Sequence, residues 1–246
     1  MTLDYNNKFQ VHLKDKVLII WSPKSACTTV NCMFFEHENL LKKALTKYKW
    51  IHQYRKEFQK KHSNYRNECI QYLSPLKYIH FCVNPYRRAV SSYLHGMCTP
   101  TVPIEHKNIS FHEFLIRLKS GLIPSNPHHN LQSFYKDSYK YITVVKMENI
   151  DNEIKHINKK FRLHYKTYKP ENIKKKSDKI NYFIGNDKWE TFKNDIPNDY
   201  TYFYNNEIKK LVYDLYKIDI KNLGYNWKMF IDYEKKKFIM FPLQST

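Results

Sequence analysis

Five consecutive apolar residues, Val17-Leu18-Ile19-Ile20-Trp21, stand between Lys16 and Ser22-Pro23. A strand with one wet face alternates apolar and polar residues. An unbroken, β-branched run reads as a strand buried on both faces, the kind found in parallel sheets covered by helices. Val30, Met33, Phe34, His37 and Leu41 follow at spacings of three and four, predicting an amphipathic helix to about residue 45. The unit is therefore strand, tight loop, helix. A second strand is expected at Tyr78–Val83, ended by Asn84-Pro85, with a helix from Tyr86. A third is expected at Tyr141–Val145, before a helix that turns Ile154, Ile157 and Phe161 inward. Strands alternating with helices indicate an α/β fold with a largely parallel sheet.

Two more helices are legible. Ser110-Phe111-His112-Glu113 has the form of a capping box, followed by Phe114, Leu115 and Leu118 and stopped near Gly121. Ile208, Leu211, Val212, Leu215 and Tyr216 mark a helix ending before Gly224. Residues 166–198 are polar, lysine-rich and weakly periodic and are expected to form a long loop or a partly ordered excursion. No repeat or boundary divides the chain, so residues 1–246 are read as one domain.

Charge narrows the partners. Lys and Arg number 42 against 23 Asp and Glu, a net +19. Such an excess attracts polyanions at long range: nucleic acid, an anionic membrane surface, or small phosphate and sulfate compounds. The short runs Lys42-Lys43, Lys60-Lys61, Lys174-Lys175-Lys176 and Lys235-Lys236-Lys237 read as solvated surface. Cys27, Cys32, Cys69, Cys82 and Cys98 have neither paired nor zinc-type spacing, which fits reduced thiols. Met1–Lys16 is polar, unlike a signal peptide, and Val17–Trp21 is too short to span a bilayer. A soluble, cytoplasmic protein is the expectation, or a Golgi-lumenal one whose anchor has been removed.

Two segments carry chemistry. Ser22-Pro23-Lys24-Ser25-Ala26-Cys27-Thr28-Thr29 joins the first strand to its helix. Small residues there let backbone amides face an anion, the helix N-terminus adds positive charge, and Lys24 and the Thr hydroxyls reach phosphate oxygens. The glycines of a Walker A loop are absent. Asn84-Pro85-Tyr86-Arg87-Arg88-Ala89-Val90-Ser91-Ser92-Tyr93 follows the second strand, and Arg88 and Ser91 are expected to form a second anion site. Both lie where open α/β sheets bind ligands, at the C-terminal ends of strands.

In this order the two segments resemble the membrane-associated carbohydrate sulfotransferases. The resemblance continues through Ile109–Leu115, Asn126-Pro127-His128-His129-Asn130-Leu131-Gln132-Ser133, Tyr141–Asn149, and the pairing of Val212–Asp219 with Leu223-Gly224-Tyr225. It covers roughly residues 17–225 and leaves 226–246 as an extension. It implies a three-layer, P-loop-like sulfotransferase fold with a central, largely parallel sheet flanked by helices. It also implies 3′-phosphoadenosine 5′-phosphosulfate (PAPS) as donor, no metal, and a hydroxyl acceptor on a carbohydrate; an anionic acceptor fits the basic surface. Pro23, Lys24, Ser25, Ala26, Cys27, Thr28 and Thr29 would hold the 5′-phosphosulfate, and Arg88 and Ser91 the 3′-phosphate. Lys24 would also neutralise the leaving group. Val83 stands where the family carries an arginine for the 3′-phosphate, and Arg88, Arg87 or Lys174–Lys176 are the available substitutes.

Sulfuryl transfer also needs a base for the acceptor hydroxyl. His62, ahead of the second motif, and His128, within the third, are the catalytic candidates; His80 lies in a strand and reads as core. Three other readings compete. A P-loop kinase would need the missing glycines and an acidic magnesium ligand. A nucleic-acid or polyanion binder would interleave its aromatics with basic residues, whereas here they fall on core faces. A sulfotransferase-fold protein without activity follows if nothing replaces the arginine at Val83.

Overall fold

The computed structural model describes residues 8–12, 14–61, 64, 77–133, 142–168 and 177–226. The apolar run is strand β2 (Val17–Trp21), buried at all five positions. It pairs in parallel with β3 (Lys77–Cys82), and β3 pairs in parallel with β4 (Ile142–Lys146), so that Ile19, Ile79 and Thr143 lie in register. A strand that the sequence did not announce, β1 (Lys8–His12), lies antiparallel to β2 and places His12 opposite Val17. The sheet order is β1-β2-β3-β4. Phe9 and Val11 alternate with Gln10 and His12, a pattern that suggests an edge with one wet face, yet all four are buried. Tertiary partners make this possible: Gln10 Nε2 donates to Asn31 Oδ1 at 3.5 Å, and His12 Nε2 meets Tyr165 Oη at 2.5 Å.

Eight α-helices accompany the sheet among the described residues: α1 (Cys27–His37), α2 (Leu41–Lys47), α3 (Ile51–Lys61), α4 (Pro85–Cys98), α5 (Phe111–Lys119), α6 (Ile150–Phe161), α7 (Trp189–Phe192) and α8 (Asn206–Asn222). Val145 joins a cluster with side chains of α1, α3 and α6; its neighbour Val144 packs against a second cluster built from α4, α5, α7 and α8. Because successive strand residues face opposite ways, helices cover both faces. The result is an α/β architecture with a mostly parallel sheet, as the strand–helix alternation predicted.

Local chemistry sets the boundaries. Asn84 accepts the Tyr86 N–H at 2.9 Å and Pro85 opens α4. Ser110 accepts the Glu113 N–H at 3.1 Å, but the Glu113 carboxylate pairs with Arg117, so only half of the capping box forms. The first helix stops at His37, short of its predicted extent, because Asn39 turns left-handed (φ 57°) and Leu40 N–H closes on Phe35 O. Of the two expectations for 166–198, the described residues follow the partly ordered excursion. Ile180, Ile184, Trp189 and Phe192 are buried in the second cluster, and α7 lies within it. Their irregular spacing hides from a periodicity reading what tertiary contacts fix, such as Ile184 N–H to Tyr202 O at 2.8 Å.

Two buried histidines make the fold acid-sensitive. Burial, and then nearby Arg88, pushes the pKa of His80 down to about 3 from 6.5. Burial lowers His129 as well, against the opposing bond from its ring to Pro124 O. In the unfolded chain both take up protons near pH 6.5, so the stability they contribute is whole above that pH and is lost as pH falls towards 3. Asp219 acts with the opposite sign, since burial raises its carboxyl above the usual range. It is one group against these two and His12, whose pKa burial also lowers. The melting temperature is expected to fall steadily from pH 7 to pH 4, and His80→Leu to flatten that fall. A midpoint independent of pH in this range would refute the assignment of His80 as a neutral core residue.

Candidate functional site

The loop after β2 leads directly into α1 at Cys27. Lys24 (φ 67°) and Ala26 (φ 55°) both adopt left-handed backbone, which costs a non-glycine residue about 1 kcal/mol each. Ala26 is the N-cap of α1 and makes no side-chain cap bond. The amides of Cys27 and Thr28 and the charges of Lys24 and Arg55 all act on the Cys27 sulfur, favouring negative charge there. Burial still prevails and holds the thiol above its ordinary pKa. Cys27 is therefore a neutral thiol at pH 7, which argues against a cysteine nucleophile. What converges is a helix N-terminus, two amides and two cations around one point.

The sequence reading missed Arg55 and His52. Both lie on α3, three residues apart and so on one face. Arg55 is 8% exposed, and its Nε has no hydrogen-bond partner among the described residues. His52 is buried, with Nε2 at 3.3 Å from Thr28 Oγ1 and 3.4 Å from Cys27 Sγ. Neither falls in a recognisable motif. The only hint in the sequence was a basic residue and a histidine on the inward face of an amphipathic segment.

Several predicted ligands turn out to hold the loop in place. Arg88, 1% exposed, donates from Nε to Pro23 O (3.1 Å), from Nη1 to Asn130 O (2.5 Å) and from Nη2 to Pro127 O (3.1 Å). Ser25 donates to Gln132 Oε1 at 2.6 Å, and that amide also takes the Val83 N–H (3.1 Å) and donates to Val83 O (2.8 Å). Asp219 accepts the N–H groups of Gln132 and Ser133 at 2.8 and 2.7 Å, and Tyr216 Oη donates to His129 O at 2.8 Å. Glu148 accepts the Asn84 N–H at 2.6 Å and the Tyr225 hydroxyl at 2.9 Å. Pro23, Ser25 and Thr29 are buried, while Lys24, Ala26, Cys27 and Thr28 remain partly open.

Arg88 and Ser91 do not form the shared anion site that their spacing suggested. On α4 the pairs four apart face together: Arg88 and Ser92 turn to residues 127–130, with Ser92 donating to His128 O. Ser91 instead lines a recess of about 640 Å³ with Arg87, Val90, Leu94 and the stretch 196–200. Val83 is buried and apolar, and its backbone serves Gln132. Of its possible substitutes, Arg88 is spent on carbonyls, Arg87 is exposed beside Ser91, and Lys174–Lys176 lie outside the described residues.

His62 also lies outside the described residues. His128 pairs Nδ1 with Asn126 Oδ1 at 2.8 Å and stacks on His95 at 4.5 Å, and His80 sits in the core as expected. His52, by contrast, touches the loop directly, at Thr28 and Cys27.

No family model, curated protein or solved structure matches the chain. Among the described residues, no helix is long and apolar enough to cross a membrane.

Proposed function

We propose that this chain is a sulfotransferase with a P-loop-like fold, moving a sulfuryl group from PAPS to an acceptor hydroxyl on a carbohydrate. The observation that carries the reading is the loop at the C-terminal end of β2: left-handed Lys24 and Ala26, the uncapped N-terminus of α1, and the charges of Lys24 and Arg55 acting on it. Further support comes from the way the segments of the family resemblance meet. Pro23 and Ser25 bond to Arg88 and Gln132, Gln132 to Asp219, and Asn84 to Glu148 and thence Tyr225.

In this reading Lys24 and Arg55 neutralise charge on the leaving phosphate and on the equatorial sulfuryl oxygens. His52, in the tautomer protonated on Nδ1, presents Nε2 to accept the proton of the attacking hydroxyl. The acceptor oxygen bonds to sulfur as the bond from sulfur to the 5′-phosphate oxygen breaks. In the same reading Arg87 and Ser91, which line one recess, take the 3′-phosphate.

Calorimetric titration with 3′-phosphoadenosine 5′-phosphate, the donor product, tests this. Micromolar binding to the wild type is expected, weakened at least about tenfold by Lys24→Ala, a loss in line with a single charged hydrogen bond. Absence of binding would overturn the enzyme assignment. Binding without sulfuryl transfer to any member of a polysaccharide panel would favour the inactive reading, which Val83 and the engaged Arg88 motivate.

A further inference from the structure

A second cluster lies at the other end of β2 and α1. His12 ends β1, Asp15 lies in the turn to β2, and His37 ends α1. Ten helical rises separate Cys27 from His37, about 15 Å. One ring nitrogen from each histidine and one Asp15 carboxylate oxygen lie within 4.8 Å of one another. The two imidazoles meet edge to face, with centroids 4.4 Å apart. His37 Nε2 is 2.9 Å from Asp15 Oδ2. Its Nδ1 is buried and has no hydrogen-bond partner among the described residues. His12 has a carboxylate, Glu38, at Nδ1 and the Tyr165 hydroxyl at Nε2. Spacings of 3 and 22 residues are no metal motif, so the sequence pointed to no such cluster.

We propose that His12, Asp15 and His37 bind a divalent transition-metal ion of the zinc class, with water at the fourth position. Two imidazoles and one carboxylate are a donor set suited to this class. Ligand atoms on a tetrahedral zinc stand about 3.3 Å apart, given bonds of about 2.0–2.1 Å. Small side-chain rotations close the present triangle to that size. Whichever nitrogen of His12 takes the metal, the other keeps Glu38 or Tyr165 as the partner that fixes the ring. The recess at the cluster is about 500 Å³ and provides entry. Glu36, Glu38, Lys14, Arg162 and Lys166 on its wall are all exposed, so solvent and salt screen charges of both signs alike. The ion ties the edge strand, the hairpin turn and the end of α1 together. It stands apart from the loop after β2, so its role is to stabilise the fold.

The test uses the untagged full chain, stripped with chelator and titrated with zinc and with cobalt(II). One equivalent is expected to bind, with the visible absorption of tetrahedral cobalt and a melting temperature that rises with added zinc. Asp15 and His37 are partly exposed, so Asp15→Asn combined with His37→Gln leaves the core intact. That variant is expected to weaken zinc affinity by at least about 10–100-fold and to abolish the cobalt spectrum. Zinc that fails to bind, or that binds the double variant as it binds the wild type, would overturn the proposal. Affinity for the donor product stays unchanged in the double variant, so this result is read independently of the sulfotransferase assignment.

Discussion

Arg88→Met is expected to lower the melting temperature by about 6–12 °C, from a loss of about 3 kcal/mol. The guanidinium is the donor for the carbonyls of Pro23, Asn130 and Pro127, which come from two segments about a hundred residues apart in sequence. Each buried carbonyl left without a donor costs about 1–3 kcal/mol. Relief of the charge's own desolvation, which lowers the Arg88 pKa, offsets part of that sum. Arg88→Lys is expected to recover little, because a single ammonium cannot reproduce a planar fork that reaches three carbonyls. Thermal denaturation of the two variants is the measurement. If Arg88→Met keeps the wild-type midpoint yet abolishes binding of the donor product, Arg88 is a ligand contact, as the sequence suggested, and its structural role is refuted.

His52→Gln is expected to slow sulfuryl transfer by about 10²–10⁴, the usual contribution of a positioned general base. Donor-product affinity should stay within about threefold, since a neutral side chain of similar reach leaves Lys24, Arg55 and the α1 amides in place. Lys24→Ala should show the complementary pattern, losing affinity and rate together. Transfer of radiolabelled sulfate from the donor to a polysaccharide panel supplies the rate, and calorimetry supplies the affinity. Unchanged turnover in His52→Gln would remove it as the base and return attention to the other histidines.

The loop after β2 and strand β2 itself were legible because their signals are local. A five-residue apolar run, a Ser-Pro turn and a helical period each act over a few residues, and the observed β2 matches its predicted bounds. Strand β1 was not legible, because its buried Gln10 and His12 depend on Asn31 and Tyr165, which are distant in sequence. The same holds for the buried apolar residues between Ile180 and Phe192.

The site divides in the same way. Sequence alone determined that two polar, basic segments each join a strand to the helix that follows it, while the parallel pairing of β2 with β3 makes the two loops neighbours. Only the tertiary structure decided what their side chains do. Packing decides that Arg88 meets the carbonyls of Pro23, Pro127 and Asn130 while Ser91, only one turn away, lines a separate recess with residues 196–200. Packing of α3 against α1 brings His52 and Arg55 to the loop from about thirty residues away. The pairing of β1 with β2 sets His12 beside His37. Spacing along a chain fixes direction within one element, but the partner a side chain meets is fixed by how elements pack, and that information is not local.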